Sequence, residues 1–210
     1  MKALMTAGFI ALLFGSAAMA QQKADKANPL FTAQPAQTAP AVPPEWEAIL
    51  NASAPGPYQK LMEAFVGRWK AAGRVWGAPS ADPVVLEGTA SNTFIFGGRY
   101  LKMEFMGEIA GRSLIGLVFM GFDNARREYT SVRFDTLTSG FLSLAGTVSA
   151  DGRTFSLRGT YKDPVTGRMR EQREETTFDG PDRMISRAFD QTPGGGDEFK
   201  RWETLYTRVK

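Results

Sequence analysis

From Gly67 onward the chain alternates apolar and polar residues, and short clusters of Gly, Pro, Asp and Ser interrupt the alternation. Leu101, Met103 and Phe105 share one side of a period of two, with Tyr100, Lys102, Glu104 and Glu108 on the other. Phe155, Leu157 and Tyr161 oppose Ser156, Arg158 and Lys162 in the same way. Side chains on a strand point alternately to opposite faces, so these segments read as half-buried strands. The interruptions are Ala78–Pro83, Gly97-Gly98, Ala110-Gly111, Asp123–Arg126, Thr138–Gly140, Asp151-Gly152, Asp163–Gly167, Asp179–Asp182 and Thr192–Asp197. Nine turns at this spacing divide the region into about ten strands. Asp151-Gly152 suits a type I′ hairpin, since both residues tolerate positive φ. Short loops pair sequence neighbours antiparallel, and a meander that closes on itself leaves no exposed edge. The pattern predicts an all-β fold, an antiparallel up-and-down barrel of about ten strands.

Ahead of the strands, Tyr58, Leu61, Met62 and Phe65 fall at helical spacing and predict one apolar stripe. Pro57 suits the first helical turn, and Gly67 ends the helix. Trp69, Ala71, Gly73 and Val75 then begin the first strand. Trp46, Ile49 and Leu50 after Pro43-Pro44 predict a second short helix, which Ala52–Pro57 breaks. One or two short helices therefore precede the barrel and plug one end of it.

Two segments depart from alternation. Leu114–Phe122 is apolar on both faces, so its outer face calls for a cover: the N-terminal helices or a second subunit. Arg170–Thr177 is polar on both faces, so some of its charge enters the barrel or its mouth. An unpaired buried ion is costly, so those charges must pair, reach water or meet a polar ligand.

Composition narrows the setting. Lys2, an apolar run centred on Phe9–Phe14 and Ala18-Met19-Ala20 form a signal-peptide pattern over residues 1–20, with cleavage after Ala20. Residues 21–42, rich in Ala, Gln and Pro, read as a disordered leader. Residues 43–210 form a single barrel domain with N-terminal helices, expected in the periplasm or outside the cell. No later stretch is apolar enough to span a membrane. The chain has no Cys, so neither disulfides nor a lipid-anchored cysteine applies. Its formal charge of +3 is too small to argue for nucleic acid. It also has no His, which removes Ser-His-Asp chemistry, His-ligated haem and His/Cys zinc sites. No cofactor or metal is implied.

Gly67-Arg68-Trp69 after a short helix, together with Tyr206-Thr207-Arg208 near the end, resembles the G-x-W signature of calycin barrels, the lipocalin and fatty-acid-binding group. That resemblance implies a Trp closing the barrel base beneath an Arg of the last strand, here Arg208 or Arg201. More closely, residues 58–210 resemble the bacterial family called domain of unknown function 1579. The matching pieces are Gly97-Gly98-Arg99-Tyr100-Leu101, Gly121-Phe122-Asp123 through Tyr129, Phe134-Asp135-Thr136, Asp163–Arg168 and Glu198–Arg208. Where the family often places an aromatic before Phe134-Asp135, this chain has Arg133. The resemblance implies a fold and no activity.

The candidate ligand-binding residues are Trp69, Leu101, Met103, Phe105, Tyr129, Arg133, Asp135 and Arg173. For Trp69 the commoner role is structural, a cation–π closure with Arg208. Arg133 and Asp135 share a strand face with Tyr129, and Glu171, Arg173 and Glu175 form a comparable row. Because Val132 and Phe134 look like core, both rows are expected on the solvent side, with Arg170, Gln172 and Glu174 as the alternative inward row. The leading function is non-enzymatic binding of a small apolar or amphipathic molecule in the lumen. The alternatives are an enzyme using Asp135 or Glu104 with Arg133 or Arg173, and an envelope module or homodimer built on the outer face of Leu114–Phe122.

Overall fold

Between the turn signals run ten strands: β1 (Gly67–Val75), β2 (Val84–Ile95), β3 (Tyr100–Ile109), β4 (Arg112–Asp123), β5 (Glu128–Asp135), β6 (Leu142–Val148), β7 (Thr154–Lys162), β8 (Met169–Phe178), β9 (Arg183–Gln191) and β10 (Glu198–Arg208). The computed structural model describes residues 42–191, Gly196 and 198–210. The expected signal peptide, all but the last residue of the expected leader, and most of the Thr192–Asp197 turn lie outside the described residues. Each strand pairs antiparallel with its sequence neighbours, and β1 pairs with β10 to close the barrel. In that closing pair Trp69 faces Arg208, Ala71 faces Tyr206 and Val75 faces Trp202. A bulge at Arg201 shifts the register between β10 and β9. Among the described residues no helix is long and apolar enough to cross a membrane.

Helix α1 (Pro44–Ala52) buries none of its residues. Helix α2 (Pro57–Leu61) tightens into a 3₁₀ turn at Met62–Phe65. This tightening splits the expected stripe, because a 3₁₀ turn brings residues i and i+3 onto one side. Met62 and Phe65 therefore enter the barrel end together and are fully buried, while Tyr58 and Leu61 keep 40% and 36% of their surface. The Phe65 ring meets Phe155 and Phe178 edge-on at centroid distances of 5.0 and 4.7 Å, and Tyr129 meets Phe155 at 5.0 Å. Edge-to-face packing suits ring quadrupoles, so this cluster is a specific seal as well as buried area.

Polar contacts tie the plug to the β4–β5 hairpin. Gln59 accepts from the Gly56 amide through Oε1 at 2.8 Å and donates through Nε2 to the Phe122 carbonyl and to Asn124 Oδ1. Asn124 Nδ2 donates in turn to the Ala52 and Ala54 carbonyls.

The structure corrects two expectations about local geometry. The two-residue loop with positive φ at both positions (49° and 73°), the type I′ signature, is Ala110-Gly111 between β3 and β4. In Asp151-Gly152 only Gly152 has positive φ, and Asp151 instead accepts from the Ser149 hydroxyl and the Arg153 amide. The N-terminal helices also do not cover the outer face of β4. They sit at its Asp123 end, and Ile115 near its other end remains 49% exposed.

Candidate functional site: the barrel lumen

Pairing register decides which side chains enter the barrel. Starting from buried Trp69, directly opposed residues share a face from strand to strand. The inward rows are Trp69/Ala71 on β1, Ala90/Asn92 on β2, Leu101/Met103/Phe105 on β3, Val118/Met120/Phe122 on β4 and Tyr129/Ser131/Arg133/Asp135 on β5. They continue as Leu142/Leu144 on β6, Phe155/Leu157/Tyr161 on β7, Arg170/Gln172/Glu174/Thr176 on β8, Ala188/Asp190 on β9 and Trp202/Thr204/Tyr206 on β10.

The two ends of this lumen differ. At the helix end Trp69, Leu101, Tyr129 and Phe155 are almost wholly inaccessible. Trp69 Nε1 and Asn92 Nδ2 both donate to the Phe65 carbonyl, at 2.8 and 2.9 Å, which locks the plug to the wall. Toward the other end the inward side chains Met103, Phe105, Val118 and Tyr206 are only half-buried. The Arg133 and Glu174 side chains keep 25% and 23% of their surface accessible although both point inward. Glu174 lies in the middle of β8, so that accessible surface belongs to the lumen and not to a barrel rim. The barrel is a cup with a sealed aromatic floor and an upper half in which Arg133 and Glu174 keep accessible surface.

Polar groups are concentrated in the upper half. Arg133 donates through Nη1 to Glu174 at 2.5 Å and through Nη2 to Gln172 at 3.1 Å, and its Nε lies 3.7 Å from Asp135. Its guanidinium carbon stands 4.6 Å from the centre of the Trp202 ring. β5 and β10 are five strands apart in either direction round the barrel, so this contact spans the lumen. Gln172 Nε2 and the Tyr161 hydroxyl both donate to Asp190, which also lies 3.8 Å from Arg201. Arg170 pairs with Asp163 at 2.7 Å.

Local sequence explains the positions. Arg133 and Asp135 end β5 at the mouth, where Asp135 also accepts from the Leu137 amide and the Thr138 hydroxyl and so caps the following turn. Phe105 lies across Gly88 and Gly107, where an added Cβ would come within 2.7 and 2.8 Å of its ring. Two missing side chains thus make room for one large one.

Burial governs the electrostatics. Desolvation raises the Glu174 carboxyl above its ordinary range despite the opposing pull of Arg133. It raises Asp190 likewise, against hydrogen bonds from Tyr161 and Gln172 and the field of Arg201. Tyr206 is pushed up to about 12, first by desolvation and then by the charge of Glu174. Tyr161 is pushed up to about 12 by burial and by its bond to Asp190. An ionised Glu174 within a low-dielectric wall is therefore incompletely compensated.

Of the residues singled out from sequence, Leu101, Met103, Phe105, Tyr129, Arg133 and Asp135 all face inward. The expected solvent-side placement of the Arg133/Asp135 row is corrected: Phe134 is the outward residue, 43% exposed, and it packs on Phe141. Trp69 belongs to the sealed floor, beneath the accessible part of the lumen. Arg173 is outside. It pairs with Glu175 and Glu198 and stacks on Phe189, because its neighbour Gln172 takes the inward position. Glu104 is also outside, paired with Lys102 at 2.9 Å. On β8 the alternative row, Arg170, Gln172 and Glu174, is the one that points inward. Trp202, Tyr206 and Asp190 escaped the sequence reading. Counting by twos from Arg208 finds the first two, whereas the bulge at Arg201 hides the register above them. A separate concavity of about 460 Å³ lies mainly on the outer face of β1–β4, between Arg68, Glu104, Met106 and Ile115. It does not touch the polar cluster.

Solved structures share this architecture, two of them as follows. An S-type phycobiliprotein lyase from Guillardia theta aligns with a TM-score of 0.52 at 14% identity, covering 72% of this chain and 92% of that one. The protein Rv2717c of M. tuberculosis aligns with a TM-score of 0.56 at 14% identity, covering 75% of this chain and all of that one. At such identities the likeness shows the fold alone. No functionally curated protein matches the chain. A family model does match, over residues 54–208, and by that match the chain belongs to the protein family of unknown function DUF1579.

Proposed function

We propose that this barrel is a non-enzymatic binding protein that holds a small hydrophobic or amphipathic molecule in its lumen. The observation that carries the reading is the mid-strand position of Glu174, which points inward yet keeps accessible surface above a sealed floor. Concave sites of this kind, mostly apolar with a few convergent polar groups, are the usual form of small-molecule sites. Met103, Val118 and Phe105 supply the apolar wall, and the cluster around Arg133 supplies the polar groups. A structurally similar barrel being a phycobiliprotein lyase supports the idea that this architecture can serve a small-molecule task. We also propose export to the periplasm or beyond, on the signal-peptide pattern of residues 1–20.

The test is a titration with N-phenyl-1-naphthylamine, a neutral lipophilic fluorophore. Wild type should bind about one equivalent. Ser131→Trp, which fills the half-buried middle of the lumen, should abolish that binding, while Ile115→Ser on the outer face should leave it intact. Probe binding that ignores Ser131→Trp, or no binding at all, would overturn the reading. For export, the mature protein recovered from the envelope fraction should begin at Gln21.

A further inference from the structure

The polar half of the lumen is not charge-balanced, and that imbalance sharpens the carrier reading, on which this inference rests. We propose that the occupant is an amphiphile whose head group donates hydrogen bonds and carries no negative charge, a primary amine being the strongest case, and that Glu174 and Tyr206 receive it. Among the described residues Arg133, Arg170 and Arg201 meet Asp135, Asp163, Glu174 and Asp190, one carboxylate more than guanidinium.

The guanidinium beside Glu174 is already committed. Arg133 uses Nη1 on Glu174 and Nη2 on Gln172, turns Nε toward Asp135, and lays its face against Trp202. Arg170 stands 2.7 Å from Asp163 although its buried Nε makes no hydrogen bond there, and Arg201 donates through Nη1 to the Trp76 and Gly77 carbonyls. An incoming carboxylate would have to take Arg133 away from Glu174. That leaves a carboxylate unpaired inside the protein, beside a second negative charge.

The acceptors are less fully used. Glu174 engages Arg133 through Oε1, and its Oε2 has no protein partner among the described residues. The Tyr206 hydroxyl likewise has none, and it stands close enough for the charge of Glu174 to raise it. Burial raising Glu174 in spite of Arg133 is consistent with a site that lacks positive charge. The ring of Tyr206, on the same row of β10 as Trp202, adds a surface that favours cations over anions. Met103 and Val118, inward and half-buried, give an apolar wall for a chain.

The test uses three probes with one tail, each below its micellar concentration: dodecylamine, dodecanol and dodecanoate, competing with N-phenyl-1-naphthylamine at neutral pH. Dodecylamine should bind at least tenfold more tightly than dodecanoate, with dodecanol between them. Formal charge on the whole chain is +3, so nonspecific attraction would favour the acid and cannot mimic this order. Glu174→Gln should shrink the amine-over-acid ratio about tenfold. Tyr206→Phe, a milder change, should weaken dodecylamine and dodecanol several-fold relative to the neutral fluorophore, whose own affinity for the variant is measured alongside. If the fluorophore binds and dodecanoate matches or exceeds dodecylamine, the head-group assignment fails while the carrier reading stands. An unchanged ratio in both variants removes Glu174 and Tyr206 as the receiving groups. If the fluorophore itself does not bind, the carrier reading fails first and this inference with it.

Discussion

Arg208 holds its guanidinium carbon 4.1 Å from the centre of the Trp69 ring and caps the end of the plug at the same time. It donates to the Val66 carbonyl and, at 3.0 and 2.9 Å, to the Ala64 and Pro181 carbonyls. The cation–π contact contributes about 0.5–2 kcal/mol. Carbonyls left without donors add about 1–3 kcal/mol where they are shielded from water. Arg208→Ala should therefore lower unfolding free energy by about 2–4 kcal/mol, read as a shift of the urea midpoint. Arg208→Lys should recover less than half, since an ammonium cannot reach three carbonyls from above a ring. Equal stability of all three proteins would show that the pair is ornamental.

The backbone plan of this barrel was legible because turn chemistry is local. Each predicted turn separates two strands, and the Gly67-Arg68-Trp69 motif lies where the helix hands over to β1. Gly67 shows why: its φ of 122° suits only glycine, and an added Cβ would sit 2.6 Å from Arg208 Nη1. The direction of the polar strands was harder to read. Val132 and Phe134 are more apolar than Arg133 and Asp135, yet the charged pair faces inward. Its compensation comes from Glu174, Gln172 and Trp202, far away in sequence. Period-two reasoning ranks faces by hydrophobicity alone, so it inverts wherever a lumen carries a polar cluster.

Ala110 occupies the first position of a type I′ turn at φ 49°, a conformation that favours Asn and Gly. Ala110→Asn keeps a side chain and suits the left-handed region. It should raise stability by about 0.5–1 kcal/mol, seen as a higher melting temperature with an unchanged circular dichroism spectrum. A Val at this position should do the opposite.

The raised carboxyls of Glu174 and Asp190 make stability depend on pH in an unusual direction. In the unfolded chain Glu174 titrates near its ordinary value of 4.5, whereas burial raises it in the folded barrel. Between those two values the folded state holds more protons, so stability rises as pH falls through that window. Further down the sign reverses, because Glu198 and Glu203 are held below their ordinary range by Arg173 and Arg187 and lose that pairing on protonation. Urea midpoints from pH 8 to pH 3 should therefore pass through a maximum on the acid side of neutrality. Glu174→Gln should flatten the limb above the maximum and leave the acid limb unchanged. A wild-type profile that falls steadily from neutral pH downward would contradict the placement of Glu174.

Trp69, Asn92 and Arg208 hold the Phe65 end of the plug, whereas the segment ahead of it is tied to the barrel through Asn124. Its amide donates to the Ala52 and Ala54 carbonyls at 2.9 and 3.0 Å and its oxygen accepts from Gln59. Those carbonyls are exposed, so water can replace the lost donors, and each bond contributes about 0.5–1.5 kcal/mol. Removing them should cost the barrel little, because Met62 and Phe65 stay buried among Phe155 and Phe178. It should instead free the segment from Pro44 to Pro57, where α1 buries nothing of its own. For Asn124→Ala the expected result is a rise of roughly tenfold in amide exchange across α1 and the start of α2, corresponding to about 1.4 kcal/mol of local stability. Exchange in β1 and β10 should not change, nor should the melting temperature move by more than about 2 °C. If exchange accelerates equally in β1, then the plug and the closing strand pair unfold as one unit, and the floor of the cup is only as stable as the Asn124 contacts.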